Sequence, residues 1–126
     1  MKVRTLVLTG GAVALVAAIV VAAWLGLRPA AAETSGSCNA AYYELTAEPD
    51  DGVLEGDFEL MSNAPGETWQ VALEHNGEVV IETERVTDEE AELDLDVDRR
   101  PTGDDTFTVT ATPESGAECV ASVTHD

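Results

Sequence analysis

Four aspartates in the second half of the chain have a spacing that could bind calcium. Asp94, Asp96, Asp98 and Asp105 occupy positions 1, 3, 5 and 12 of an EF-hand-like spacing, and carboxylate oxygens are the hard ligands that Ca²⁺ prefers. Position 6 of such a loop requires glycine for its sharp turn, but the residue there is Arg99. The alternative, which the sequence favours, is that these aspartates form the solvent side of a β-strand.

The two cysteines, Cys38 and Cys119, could form a covalent link. An even pair in an exported chain usually forms a disulfide, and a redox or metal pair is the alternative. A metal would need more ligands, and His75 and His125 are the two histidines that could supply them. We therefore predict a structural disulfide, which would stabilise the fold by at most ~4–5 kcal/mol for a closed loop of this order of length.

Nucleophilic catalysis would require a nucleophile beside a base and an orienting group. The sequence contains no Gly-x-Ser-x-Gly motif, and both histidines are expected to be exposed, His75 at a hairpin tip and His125 as the penultimate residue. Paired carboxylates could hydrolyse glycosides, but a chain with 25 acids offers such pairs everywhere, so the pattern has no weight. We predict no catalytic residues, no enzymatic activity and no cofactor beyond the possible calcium.

The charge of the chain is divided sharply along its length. The 126 residues have a formal charge of −19, but no acid precedes Glu33. Residues 33–126 therefore hold all 25 acids against Arg85, Arg99 and Arg100, a net charge of −22. A segment of this charge is not expected to bind nucleic acid through its phosphates or to adhere to an anionic membrane. The acid excess indicates a strongly solvated surface, which would suit a salty environment.

The first 32 residues have the order of parts that is typical of an export signal. A short basic start precedes an apolar run over residues 6–27, and Pro29 leads into an Ala-x-Ala cleavage motif at residues 30–32. The apolar run would also reach ~33 Å as a helix, enough to span a bilayer. Residues 1–32 are thus predicted to be an N-terminal hydrophobic helix, either a cleaved signal peptide or a retained single-pass anchor. Both alternatives place the rest of the chain outside the cytoplasm.

From Tyr42 onward the dominant period of the sequence is two, which predicts β-strands with one buried and one solvated face. Turn residues fall between the alternating runs. We expect an all-β fold, a seven-stranded antiparallel β-sandwich over residues 40–126 after a short linker at residues 33–39. The expected inward series are Tyr43-Leu45-Ala47, Leu54-Gly56-Phe58-Leu60, Trp69-Val71-Leu73, Val79-Ile81-Thr83, Leu93-Leu95-Val97, Phe107-Val109-Ala111 and Cys119-Ala121-Val123.

The hairpin around residues 76–77 could close in two ways. A two-residue loop would place Glu82 opposite Val71 on the inward side, whereas a three-residue loop over residues 75–77 would place Ile81 there. We prefer the three-residue loop, with its glycine in the left-handed conformation, because it keeps the glutamate in solvent.

Seven short strands with tryptophan on the third resemble an immunoglobulin-like or fibronectin type III sandwich. The run from Trp69 is similar to the third strand of these domains, and the run around Phe107 is similar to the sixth, where tyrosine is common. The pattern departs from the immunoglobulin one, because the positions of the inter-sheet disulfide correspond to Phe58 or Gly56 and to Val109. The resemblance implies an exported adhesion, spacer or ligand-binding module and no particular chemistry.

We therefore expect a non-enzymatic, exported or membrane-anchored sandwich that acts as a structural or interaction module of the cell envelope. Its partner would be a protein or another envelope component, and membrane contact is expected only through an uncleaved residues 1–32. The predicted disulfide would join the first strand region to the last. The alternative function is an exported acidic domain that binds a divalent cation such as calcium, or a basic protein.

Overall fold

The computed structural model of the chain describes residues 30–126, which form eight β-strands. The predicted signal peptide or anchor, residues 1–32, lies outside the described residues except at its last positions. Within residues 30–126, no helix is long and apolar enough to cross a membrane. The strands are β1 (Ala32–Cys38), β2 (Ala41–Asp50), β3 (Val53–Met61), β4 (Thr68–His75), β5 (Glu78–Val86), β6 (Glu92–Arg99), β7 (Asp105–Pro113) and β8 (Cys119–His125).

The strands form two four-stranded antiparallel sheets. The first sheet has the order β1-β2-β3-β6, and the second has the order β5-β4-β7-β8. Alternate residues on the two facing sides form an apolar core, so the predicted all-β, sandwich-like class is confirmed. The large apolar side chains that are fully buried in this core are Leu45, Leu54, Phe58, Leu60, Trp69, Val71, Leu73, Phe107 and Val109.

The strand count differs from the prediction, because residues 33–39 contribute a strand where a linker was expected. β1 pairs antiparallel with β2 along its whole length. Asn39 and Ala40 join the two strands, and both have positive φ angles, 52° and 62°, as a tight two-residue hairpin requires. The small polar residues of β1 form no apolar run, so the strand is stabilised by backbone pairing and not by a periodic pattern of its own.

The loop of the β4–β5 hairpin contains only Asn76 and Gly77, both with positive φ, where a three-residue loop was predicted. A bulge after Leu73 shifts the pairing by one residue and places Ile81 opposite Leu73. Ile81 is half-buried against the core. The bulge therefore combines the two-residue loop with Thr83, and not Glu82, opposite Val71, so the glutamate stays on the solvent side.

The disulfide between Cys38 and Cys119 confirms the predicted pairing, with the two sulfurs 2.00 Å apart. It joins β1 of the first sheet to β8 of the second, so the first and last strands are tied along one side of the sandwich. The side-chain nitrogen Nδ2 of Asn39 lies 3.6 Å from each sulfur and donates a hydrogen bond to the Ala117 carbonyl. The Asn39 side chain therefore lies against the bridge. A link across 81 positions of sequence lowers the conformational entropy of the unfolded chain, and this effect grows with the length of the closed loop.

Gly56 on β3 leaves room for the ring of Phe107 on β7. A methyl group at this glycine would lie 2.9 Å from Phe107 Cε1, well inside ordinary van der Waals contact. Phe107 has no exposed surface, and its ring stacks on His75 at a centroid distance of 4.9 Å. The ring has little freedom to move, so the absence of a side chain at position 56 is required by packing between the sheets.

Replacement of Gly56 by alanine should lower the free energy of unfolding by about 1–3 kcal/mol, because the added methyl overpacks the core against Phe107. Chemical denaturation followed by tryptophan fluorescence would measure the change. Gly36→Ala on β1 is the matched control, since its methyl would meet only the ring end of Tyr43, a half-buried side chain that can rotate away. Equal losses in the two variants would contradict the role of the Phe107 ring.

Candidate functional site

The outward side of the first sheet is covered by carboxylates. The register of β2, β3 and β6 places these acids directly opposite one another across the sheet, where neighbouring strands lie only ~4.8 Å apart. Within these three strands, no lysine or arginine shares that side. We call this surface the acid face; its rows are Glu44-Glu59-Asp94, Asp57-Asp96 and Glu48-Glu55-Asp98.

Three acids on β3, the central strand of the acid face, have raised pKa values because of partial burial and of repulsion by neighbouring carboxylates. The pKa of Glu55, Asp57 and Glu59 lies above the ordinary value, first because partial burial disfavours the charged form and then because neighbouring carboxylates repel it. For Asp57 the strongest of these neighbours is Asp96. Like charges directly opposite on a sheet are destabilising, so the acid face lowers the stability of the folded protein.

The four aspartates predicted as a calcium site do not converge. Asp94, Asp96 and Asp98 are exposed on the outward side of β6, as the strand alternative predicted, whereas Asp105 begins β7 and is buried. Alternate residues of an extended strand are held ~6.6 Å apart and cannot curl around one ion as a loop does. The structure therefore brings three of the four onto one face and separates the fourth from them.

A different set of carboxylates meets where a turn leads into β6, whose first residue is Glu92. Asp88, Glu90 and Glu92 are exposed, and each offers an oxygen within 4.8 Å of the others. One oxygen of Asp88 already accepts hydrogen bonds from the backbone amides of Glu90 and Glu92, both at 2.9 Å. These hydrogen bonds close the turn and account for the proximity of the three acids.

An apolar spot lies at one end of the acid face. Tyr42 and Met61 are cross-strand partners and are 38% and 44% exposed. Beside them is a shallow hollow of about 170 Å³, lined in part by Met61, Glu59 and Asp94. Aromatic and thioether side chains are enriched in protein interfaces, so this spot has the composition of a contact surface.

A buried polar cluster joins β4 to β7. His75 ends β4 and is 5% exposed, Asp105 begins β7 and is 1% exposed, and the ring Nε2 lies 2.7 Å from Asp105 Oδ1. The carboxylate also accepts hydrogen bonds from the backbone amides of Thr102 and Gly103, at 3.0 and 3.2 Å, and from the Thr102 hydroxyl at 2.9 Å. Burial alone would raise the pKa of Asp105, but the hydrogen bonds, led by that of His75, outweigh it and lower this pKa.

Arg99 determines which nitrogen of His75 carries the hydrogen. The Nε–H of Arg99 donates to Nδ1 of the ring at 3.1 Å, so Nε2 carries the hydrogen that Asp105 accepts. The guanidinium also lies 3.5 Å from the carboxylate of Glu78 at the start of β5. Both ring nitrogens therefore have structural partners, and the cluster ties together the β4–β5 hairpin, the end of β6 and the loop before β7.

The burial of His75 shows that its predicted exposure at a hairpin tip is wrong. The loop begins only at Asn76, so His75 remains in β4 and continues the inward series that starts at Trp69. This parity is the sequence signal that would have placed the histidine inside. His125 is half-buried at the end of β8, and its Nε2 lies 3.0 Å from the carbonyl oxygen of Ala30.

Asp105→Asn should lower the free energy of unfolding by about 3 kcal/mol, because the asparagine amide would face buried donors that now share a carboxylate. Asp104→Asn is the matched control at the neighbouring exposed position, and it should change stability by no more than about 0.5 kcal/mol. Urea unfolding at neutral pH would measure both variants. If they were equally stable, the buried cluster would have no role in holding the fold.

The raised pKa values of the acid face predict that mild acid stabilises the protein. As the pH falls from neutral, Glu55, Asp57 and Glu59 of the folded chain bind protons before those of the unfolded chain, so the free energy of unfolding rises. At lower pH the sign reverses at Asp105, whose lowered pKa makes the unfolded chain bind the proton first. Thermal unfolding at fixed ionic strength should therefore show maximum stability below neutral pH.

The variant Glu55→Gln/Asp57→Asn/Glu59→Gln should be more stable than the wild type at neutral pH and should lack the rise in mild acid. A control variant removes the same number of charges elsewhere. If the control also lost the stability gain in mild acid, that gain would be caused by the net charge of the protein and not by the acid face. The control neutralises three outward glutamates of the second sheet in the same way: Glu74, Glu82 and Glu84.

No match was found when the chain was compared with models of known protein families, with curated proteins and with solved structures. The functional conclusion therefore depends on the geometry of the acid face, the buried cluster and the edges of the two sheets.

Proposed function

We propose that the chain is a non-enzymatic, exported β-sandwich that acts as a structural or interaction module of the cell envelope. It would be secreted, or anchored in the cytoplasmic membrane through residues 1–32. The order of basic, apolar and cleavage-like residues in that segment supports export. The Cys38–Cys119 disulfide supports it too, since disulfides persist in oxidising compartments outside the cytoplasm.

The proposal includes a relationship in architecture to fibronectin type III sandwiches. Without β1, the strand orders are β2-β3-β6 and β5-β4-β7-β8, a three-plus-four division that resembles those domains. The buried Trp69 on β4, the third strand of that series, supports the resemblance. β1 and the disulfide between edge strands are departures from it. Such sandwiches host many functions, so the role must be argued from the surfaces.

The observation that carries the proposal is the unequal charge of the two outer faces. The first sheet presents the acid face, which repels anionic lipid and attracts cations and basic proteins. The outward positions of β7 and β8 are uncharged and can contact a neutral surface. We call this second surface the hydroxyl face; it consists of Thr106, Thr108, Thr110, Thr112, Val120, Ser122 and Thr124.

The alternative function is binding of a divalent cation or a basic protein by the acid face. The raised pKa values of Glu55, Asp57 and Glu59 favour it, because part of each shift is repulsion that a bound cation would relieve. The exposed Tyr42 and Met61 adjoin the same face and could anchor a protein partner. Calcium would act on a distributed carboxylate surface and not in an EF-hand loop.

The intact mass of the natural product tests the exported state. The proposal predicts a mass that lacks two hydrogens for the disulfide, together with location outside the cytoplasm. Loss of residues 1–32 would identify a secreted product, and their retention would identify an anchored one. A full-length mass with two free thiols, in a cytoplasmic fraction, would contradict export.

Carbodiimide cross-linking in intact cells tests the interaction role. This reagent joins carboxylates to primary amines, and residues 33–126 contain no lysine, so an adduct between this segment and a lysine of another chain type reports another protein. We expect a discrete adduct with the wild type. If the acid face is the binding surface, the variant Glu55→Gln/Asp57→Asn/Glu59→Gln loses the adduct while the second-sheet control keeps it. Absence of any adduct would count against a basic protein partner.

Calcium is tested separately through thermal unfolding. If the acid face binds calcium, millimolar calcium should raise the melting temperature well beyond sodium at matched ionic strength, because a ligand that binds only the folded state stabilises it. The rise should be smaller in the triple acid-face variant. If the two salts raised the melting temperature of the wild type equally, calcium would act only by screening charges and not by binding.

A further inference from the structure

β8 is an edge strand that lacks the charges which usually protect such edges. It pairs with β7 on one side, and no strand within residues 30–126 pairs with its other side. Its sequence from Cys119 to His125 contains no acid, lysine, arginine or proline. Val120, which points outward from it, is 54% exposed. β1 of the other sheet is tied beside β8 through the disulfide and the His125–Ala30 contact, but it forms no ladder with β8. The backbone amides and carbonyls on this side of β8 can therefore pair with another strand.

The other three edge strands are protected or poorly suited to pairing. β6 has an acid at every outward position, and β5 combines three glutamates and an arginine with the bulge opposite Leu73. β1 carries Glu33 and has no large apolar side chain. β8 is therefore the one edge among the described strands that combines an exposed apolar residue with a lack of charge.

Charge also indicates which partner fits this edge. A basic strand would be recognised by carboxylates, which β6 has and β8 lacks. A second copy of this chain carries the same net charge of −22 over residues 33–126, so it can approach closely only where acids are few. The hydroxyl face, formed by the outward residues of β7 and β8, is such a side. Antiparallel pairing of two identical strands has two-fold symmetry, so one edge serves both copies.

We propose that β8 docks a second copy of this chain as an antiparallel β8–β8 pair, which joins the second sheets of two copies into one continuous sheet. Centred on Ser122, the pair places Val120 opposite Thr124 on the outer side and Ala121 opposite Val123 on the inner side. Within the strands the outer side is then uncharged and the inner side continues the apolar cores. Just beyond each end, the same register sets the exposed Glu118 opposite the exposed Asp126, so low salt opposes the pair. This association goes beyond the envelope role and is independent of any ligand of the acid face.

Sedimentation equilibrium of the natural exported product, across protein and salt concentrations, tests the proposal. The expected result is a monomer–dimer equilibrium whose Kd falls by about ten-fold or more between low and molar salt, because salt screens repulsion between the acidic copies. A product that stays monomeric at every protein and salt concentration would overturn the proposal.

Two matched variants locate the contact. Val120→Glu should weaken dimerisation by about ten-fold, because it replaces the valine that faces Thr124 in both symmetric cross-strand pairs and adds a negative charge to each copy. Val86→Glu adds the same charge at a valine that is 55% exposed on β5, the opposite edge of the same sheet, and should leave the Kd unchanged. Equal weakening by both variants, or none by Val120→Glu, would overturn the assignment to β8. Unchanged thermal unfolding of the variant monomers would confirm that they fold.

Ser122→Cys supplies a readout that misfolding cannot imitate. Residues directly opposite in an antiparallel pair have Cα atoms ~4.5–5.5 Å apart, within the range that a disulfide spans. Mild oxidation should therefore give a covalent dimer of Ser122→Cys, while Val86→Cys on β5 should remain largely uncrosslinked. Equal yields from the two variants would contradict the β8–β8 register.

Discussion

The fold depends on β3, whose apolar side chains are buried on one side while its carboxylates repel their neighbours on the other. Leu54, Phe58 and Leu60 lie in the core, while the acids between them point outward, flanked by the carboxylates of β2 and β6. Burial of each large apolar side chain contributes ~1.5–3 kcal/mol, whereas a pair of opposed like charges costs ~0.2–1 kcal/mol. Burial therefore dominates along the strand, and the fold tolerates a surface that repels itself.

Two ties outside the core hold the sandwich at separate places. The disulfide joins β1 to β8 along one side of the two sheets, and the His75–Asp105 cluster links β4, the end of β6 and the loop before β7. Hydrogen bonds from Thr102 and Gly103 stabilise the charged carboxylate of Asp105 inside the protein. They replace the hydrogen bonds with water that the carboxylate loses on burial. Because the disulfide and the His75–Asp105 cluster do not use the outer faces of the sheets, the residues on those faces can differ in charge.

The charge of the domain is distributed unequally between its two outer faces. Repulsion between carboxylates is concentrated on the acid face of β2, β3 and β6, while the hydroxyl face of β7 and β8 carries no acid or base. The proposed contact between acidic copies lies at β8, where acids are few, whereas the proposed contact with cationic partners lies at the acid face. The two kinds of contact use different sheets, so one does not obstruct the other.

The sequence by itself determined the strand class, the inward residues and the acidic outer positions, because alternate side chains of a strand must face opposite sides. It also indicated the disulfide, since two cysteines usually pair in a chain whose sequence predicts export. Tertiary structure decided the neighbours: it formed β1 without an apolar run, and it joined His75 to Asp105 across 30 positions of sequence. Local periodicity shows that Glu55 and Asp98 both face water. Only the register of β3 with β6 decides that they face each other, because that pairing depends on contacts between distant parts of the chain.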